Sequence, residues 1–310
     1  MTRTGPGLRI ALLALLAVAC SGGSKGEAPM AQPIMQWPDL LNQPRPGPDH
    51  TIRYGDDPLQ LVDIWVPQGP LPHRAVIMIH GGCWQTDIAE RDIMNYIADD
   101  LRKSGIGVWN IEYRGVDRPG GGYPGTYHDV GQAADLFLEK GPDYGFSTRR
   151  IVTIGHSAGG HLALWLAQRP KLMQTSDIRG DNPVRPDAAI SQGGLPDLRE
   201  GTKRTGHPCG TDAPGLMGGG RYAETSPPEM PVSDAAQYLF NTDRDPVAPP
   251  AYADAYKARM AAKGVTVETM VHGPEGHVEL IAPKSKSWAA QKKLIIALLE
   301  DERDPAQQAD

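Results

Sequence analysis

Gly155-His156-Ser157-Ala158-Gly159 constrains this chain more than any other short stretch. It reads G-x-S-x-G. The apolar run Ile151-Val152-Thr153-Ile154 leads into it, and the helix-prone stretch 158–168 follows. Strand, tight turn and helix in that order form the setting in which a serine serves as a nucleophile. The turn lifts its hydroxyl clear of neighbouring side chains, so that a base and an electrophile can both reach the oxygen. Glycines at 155 and 159 remove side chains where strand and helix crowd together, and they tolerate unusual backbone angles. A glycine-rich loop after any buried strand could share the pattern, but the flanking segments argue against that reading. Ser157 is therefore the expected nucleophile, and an acid and a base should follow it.

Both follow in order. Tyr238-Leu239-Phe240-Asn241 reads as a buried strand that runs into Thr242-Asp243-Arg244-Asp245-Pro246-Val247-Ala248-Pro249. Asp245 opens a Pro-Val-x-Pro turn just past the strand's carboxyl end, the edge at which parallel sheets gather their functional residues. Asp243 remains an alternative acid, and either residue could simply cap the turn. A further strand, 265–271, leads to His272-Gly273-Pro274-Glu275-Gly276-His277. His277 in the Gly-His turn is the expected base, with His272 at the strand end as its competitor. Upstream, Arg74-Ala75-Val76-Ile77-Met78-Ile79 has the continuous apolar character of a strand buried on both faces. It runs into His80-Gly81-Gly82-Cys83-Trp84. The oxyanion of an acyl-transfer intermediate needs backbone N–H groups aimed at it. Gly81 and Gly82 can expose theirs, and Ala158 after the serine supplies another.

Taken together, these residues resemble the α/β-hydrolase superfamily, in the branch of hormone-sensitive-lipase-like esterases and kynurenine-formamidase-like enzymes. The resemblance is carried by His80-Gly81-Gly82-Cys83-Trp84, Glu112-Tyr113-Arg114, Gly155-His156-Ser157-Ala158-Gly159-Gly160-His161, Asp245-Pro246-Val247 and Gly276-His277. It implies an α/β-hydrolase fold: an eight-stranded, mostly parallel sheet with helices on both faces and a short cap or lid excursion. It also implies a Ser157–Asp245–His277 triad with oxyanion donors Gly81, Gly82 and Ala158. Trp84 brings the loop closer to the formamidase-type His-Gly-Gly-x-Trp. Two departures are Cys83, where formamidase-like members often carry an aromatic residue, and the proline-rich loop after Asp245. The expected activity is hydrolysis of small or medium acyl esters. An arylformamidase is the alternative, a peptidase the third reading, and an envelope binding lipoprotein that kept the fold the non-enzymatic one.

Size and charge agree. A chain of 310 residues with formal net charge -6 suits one larger α/β domain and lacks the basic cluster that phosphate binding requires, so nucleic acid is not an expected partner. No cofactor or metal is expected, since the cysteines and histidines lack short ligand spacings. Arg3 and Arg9 precede the apolar run 10–19, which ends at Cys20. That is the layout of a signal peptide over 1–20. Leu16-Ala17-Val18-Ala19-Cys20 resembles a bacterial lipobox, which would make Cys20 the lipidated first residue and hold the protein to the periplasmic side of a membrane by its lipid alone. Ser21 favours the outer membrane. Ala17 stands where the lipobox pattern prefers leucine, so ordinary secretion to the periplasm stays open. A flexible tether is expected over 21–50 and the hydrolase domain over 51–303.

With Cys20 lipidated, Cys83 and Cys209 remain. They could bridge in an oxidising compartment, pinning the excursion over the pocket, or stay as two thiols. The excursion, 193–233, is rich in Gly and Pro and is expected to shape the pocket. Trp84, Tyr123, Trp165 and Tyr222 are the aromatic residues expected near it, and Arg221 is the candidate for a substrate carboxylate. Helices are expected over 87–103, 126–140 and 285–299, and strands over 106–111 and 187–191.

Overall fold

Along the strand Ala75–Ile79 every side chain is buried, and successive residues enter opposite cores. Ala75, Ile77 and Ile79 join one apolar cluster while Val76 and Met78 join another. Side chains on a strand alternate between the two faces of its sheet, so a run without polar interruption demands cover on both. A computed structural model of the chain, describing residues 1, 2 and 33–300, supplies that cover. The expected signal segment 1–20, Cys20 and residues 21–32 of the tether lie outside the described residues.

The sheet has eight strands: β1 His50–Arg53, β2 Leu61–Trp65, β3 Ala75–Ile79, β4 Gly107–Ile111, β5 Val152–His156, β6 Ala188–Gln192, β7 Ala236–Thr242 and β8 Val267–His272. Their spatial order is β1-β2-β4-β3-β5-β6-β7-β8. β1 and β2 pair antiparallel, as do β2 and β4, and every pair from β4 to β8 is parallel. This is the α/β-hydrolase fold expected from the sequence. The helices are α1 Trp37–Leu41, α2 Asn95–Lys103, α3 Gly125–Lys140, α4 Ala158–Gln168, α5 Leu198–Gly201, α6 Asp212–Gly218, α7 Tyr222–Thr225, α8 Pro250–Ala261 and α9 Lys286–Glu300. On one face α3 and α4 set Tyr127, Phe137, Leu162 and Trp165 against Ile77 and Trp109. On the other, α2 and α9 set Ile97, Leu101, Trp288 and Ile295 against Val76, Val108 and Ile154.

Two expectations need correction. The helix expected over 87–103 starts only at Asn95, after a 3-10 turn over Arg91–Met94. The N–H of Arg91 is drawn instead to the buried carboxylate of Glu112, at 2.9 Å. The flexible tether expected up to residue 50 ends earlier, because the compact body begins at Ile34. α1 lies within that stretch, and Leu40 is fully buried in the α2–α9 core. The excursion 193–233 has helices of its own. It folds α5, α6 and α7 and contributes Leu198, Cys209, Met217 and Met230 to the core of the α3–α4 face.

Polar ties fix these layers. Arg114, just past β4, makes a bidentate pair with the fully buried Asp129 of α3, at 2.8 and 2.7 Å. His161 of α4 lies wholly buried between two segments. Its Nδ1 accepts the indole N–H of Trp84 at 3.2 Å, so its Nε2 carries the proton and donates to the carbonyl of Thr225 in α7 at 2.7 Å. Burial, only partly offset by the Thr225 bond, lowers the His161 pKa from 6.5 to about 4.

Two outcomes follow. Asp129→Asn leaves the half-buried Arg114 guanidinium without its counter-charge, and urea unfolding should show a loss of about 2 kcal/mol, below the scale for breaking a fully buried pair. His161 acts through pH. As pH falls below 6.5 the unfolded chain takes up a proton that the folded one refuses until about 4. Its contribution should therefore fall by about 3 kcal/mol between those values and level off below them. Unfolding midpoints of the wild type and His161→Gln, measured across that window, should converge as pH drops; parallel curves would contradict the assignment.

Candidate active site

At the end of β5 the backbone reverses within one residue. Ser157 has φ 54° and ψ -117°, a region that L residues enter only under local strain, and α4 begins at the next residue. Its own N–H donates to the Gln192 carbonyl at 2.8 Å, tying the turn to β6. The turn is possible because backbone meets backbone. A Cβ on Gly159 would collide with the carbonyl oxygens of Ile79 and His80, and one on Gly155 with the carbonyl of Gly159. Gly81 approaches from the loop after β3, where a Cβ would stand 3.0 Å from Ser157 Cβ and 2.9 Å from His156 Nδ1.

The two sequence alternatives for the acid separate cleanly. Asp245 is buried, and its Oδ2 stands 2.6 Å from His277 Nδ1. Its Oδ1 accepts the N–H groups of Val247 and Ala248 at 2.7 and 2.8 Å, the bonds that the Pro-Val-x-Pro turn provides. Burial alone would raise its pKa. The hydrogen bond and charge of His277, with those two N–H groups, outweigh burial and hold the carboxyl below its ordinary range. Asp243 instead braces the neighbouring turn, accepting the Glu275 N–H at 3.2 Å. His272 stacks on Phe240, with ring centres 5.9 Å apart. His277, by contrast, is buried beside the serine turn. Its ring centre lies 4.4 Å from that of His156, whose Nε2 donates to the His277 carbonyl at 3.1 Å. Burial, then the neighbouring His277, push the His156 pKa well below its ordinary value, so this ring stays neutral. With Nδ1–H directed to Asp245, Nε2 of His277 is left as the proton acceptor.

The loop after β3 is held from beneath. His80 is buried and faces an acceptor with each ring nitrogen: Gly81 O at 2.7 Å and Glu112 Oε1 at 2.7 Å. Glu112, fully buried, also accepts the N–H groups of Tyr113 and Arg91, at 3.0 and 2.9 Å. Burial would raise its pKa, but the charge and hydrogen bond of His80 and these N–H groups leave it lowered. Above this pair Gly82, Cys83 and Trp84 all have positive φ, 98°, 54° and 56°. Cys83 is bonded to Cys209 by a disulfide, and Trp84 is tied to His161, so the strained run is anchored on two sides to other segments. Among the described residues, the N–H groups of Gly81, Gly82 and Ala158 donate to no loop carbonyl or side chain.

Other expected pocket residues fall elsewhere. Trp165 is core, donating to the Glu224 carbonyl at 2.9 Å. Tyr222 lies under Arg199, and Arg221 is paired with Glu224 at 3.4 Å. The sequence motifs include His80, Glu112, His156 and His161 but assign them no role, and neither the His80–Glu112 pairing nor the partners of His156 and His161 could be read from them. Glu112 had one signal, a charged residue directly after a strand that is buried from end to end.

Comparison with known proteins agrees with this frame. Kynurenine formamidase avaC of Aspergillus versicolor is 35% identical over 139 residues, 42% of this chain and 46% of its own length. Esterase LipC of Mycobacterium tuberculosis is 32% identical over 117 residues, 36% of this chain and 28% of its own. The chain thus spans less than half the length of these relatives. An inhibited esterase B from Lactobacillus rhamnosis, at 19% identity, superimposes with a TM-score of 0.71 over 85% of this chain and 92% of its own. That likeness is one of fold. The BD-FAE family matches residues 62–250, well over half of the chain and every element from β2 to the start of α8. The protein belongs to the BD-FAE family of the α/β-hydrolase superfamily.

Proposed function

We propose that this protein is a serine hydrolase of carboxylic esters with small or medium acyl groups, acting through an acyl-enzyme. The observation that carries this reading is the Asp245–His277 contact at 2.6 Å beside a serine held at positive φ on the β5–α4 turn. Ser157 is the nucleophile. As its Oγ attacks the ester carbonyl, its proton passes to Nε2 of His277. Asp245 keeps the imidazole in the required tautomer and stabilises the imidazolium. The carbonyl oxygen, now carrying negative charge, accepts from the N–H groups of Gly81, Gly82 and Ala158. His277 then protonates the departing alcohol, and water repeats the sequence to release the acid. The buried His80–Glu112 pair and the disulfide keep the donor loop in place before substrate arrives, which is where such stabilisation gains its strength.

Likeness to an esterase and to a kynurenine formamidase supports both an ester and a formamide substrate. The ester is preferred because ester cleavage asks for less substrate positioning than amide cleavage. The signal-like N-terminus and the disulfide together support export to the cell envelope, with Cys20 as the lipid attachment point.

The purified protein should hydrolyse p-nitrophenyl acetate and cleave N-formyl-L-kynurenine poorly, with Ser157→Ala lowering ester turnover about a thousandfold or more. Preference for the formamide would replace the ester reading. Undiminished turnover in Ser157→Ala would remove Ser157 from the mechanism.

A further inference from the structure

Among the described residues, the lysines and arginines of the excursion are paired with one exception. Arg199 makes two bonds to Glu229, at 2.7 and 2.8 Å, and Lys203 meets Glu200 at 2.7 Å. Arg221 meets Glu224 at 3.4 Å, and Arg259 of α8 meets Asp197. Arg204 breaks the pattern. Among the described residues no carboxylate lies within ion-pair distance of it, and no acceptor takes its side-chain N–H groups. Instead its guanidinium carbon stands 3.4 Å from the ring centre of Tyr252, in the first turn of α8. Stacking uses the face of a guanidinium and leaves its edge, a planar fork of five donors, unspent.

Arg204 is only half exposed. Burial pushes its pKa below the ordinary arginine value, and the charges of Tyr252, Asp197 and Glu200 do not restore it. Those two carboxylates are nearby but already matched to Arg259 and Lys203. A cation drawn partly out of water without a counter-ion is destabilising on its own and is stabilised by any ligand that brings one.

Its place in the molecule points toward the reacting atoms. Tyr252 follows the Asp245 turn directly. Three residues beyond Arg204, Nδ1 of His207 accepts the Cys209 N–H at 3.0 Å, so Nε2 donates to the Val247 carbonyl at 2.8 Å. The N–H of that same Val247 holds Asp245. The His207 ring centre also lies 6.2 Å from that of Tyr252, so one ring touches both the platform under the guanidinium and the turn that holds Asp245. The excursion thus delivers one uncommitted guanidinium to the Asp245 side of the site.

We propose that Arg204, held flat on Tyr252, anchors a carboxylate of the substrate, so that the ester cleaved at Ser157 belongs to a molecule bearing a free carboxylate. A planar fork matches a planar carboxylate through two parallel N–H···O bonds. A phosphate dianion would call for a second cation, and the neighbouring ones are taken. The inference rests on the ester-hydrolase reading, and its test separates the two.

The test uses matched esters with and without the charge: p-nitrophenyl hydrogen succinate against its methyl ester, with the carboxylate on the acyl side, and p-acetoxybenzoate against methyl p-acetoxybenzoate, with it on the leaving group. In one of the pairs the wild type should favour the free acid. Arg204→Gln should cut the charged-to-neutral ratio of kcat/KM about tenfold or more, and Arg204→Lys, which keeps the charge but not the fork, should retain part of it. Preference for neither acid, or a ratio unmoved by Arg204→Gln, overturns the proposal. Benzoate binding to Ser157→Ala and to Ser157→Ala/Arg204→Gln, followed by calorimetry, reads the subsite without turnover. Binding lost with Arg204 supports it even if no ester is cleaved and the hydrolase reading fails. Equal binding, or none to either, overturns it.

Discussion

Around Ser157 three backbone segments touch with no side chain between them, and the rest of the site depends on that closeness. The turn from β5 into α4 presses on the end of β3 at Gly159 and on the donor loop at Gly81. Any Cβ at these positions would force apart the serine and the N–H groups proposed to stabilise its intermediate. Tight contact of this kind also fixes the strained backbone at Ser157, at a cost of about 1–3 kcal/mol. Packing on both faces of the sheet offsets that cost. β3 and β5 are buried from end to end, so the strand ends that converge on the turn have little freedom to move.

Beneath the contact lie buried polar side chains bonded to one another and to the backbone. His80 and Glu112 form a hydrogen-bonded pair almost without solvent, and Glu112 in turn holds the backbone of Arg91 and Tyr113. Such a pair adds little net stability, because desolvation consumes most of the attraction. Its value is geometric: it fixes the direction in which Gly81 and Gly82 leave β3. Asp245 shows the same economy of means, with one oxygen held by the turn's own N–H groups and the other facing His277. The disulfide and the Trp84–His161–Thr225 chain then join the donor loop to the excursion, so the excursion and the proposed oxyanion donors are fixed by the same contacts.

Much of this was legible in the sequence because it rests on local signals. An unbroken apolar run identified β3, and G-x-S-x-G with its flanks placed α4 over the residues observed and β5 within two residues of its bounds. The Pro-Val-x-Pro turn separated Asp245 from Asp243 by a mechanism now visible, since that turn supplies the two N–H groups Asp245 needs. What stayed hidden depends on distant partners. Nothing near Glu112 announces His80, and nothing near His161 announces Trp84 and Thr225. The start of α2 moved because Glu112 draws off a backbone N–H that helical periodicity takes no account of. α1 escaped because a proline-rich composition hides how firmly Leu40 is buried. Arg221, the arginine that the sequence offered for a substrate carboxylate, is paired with Glu224, because sequence shows which arginines exist but not which already have carboxylates beside them.

The central claim is that Ser157 is activated by His277 and Asp245. The most direct measurement is peptide mass spectrometry after treatment with an alkyl fluorophosphonate, which reacts with an activated serine hydroxyl. The account expects a single phosphonate on the peptide containing Ser157, strongly reduced in His277→Ala and in Asp245→Ala. No adduct, an adduct on another serine, or labelling of Ser157 undiminished in both variants would contradict it.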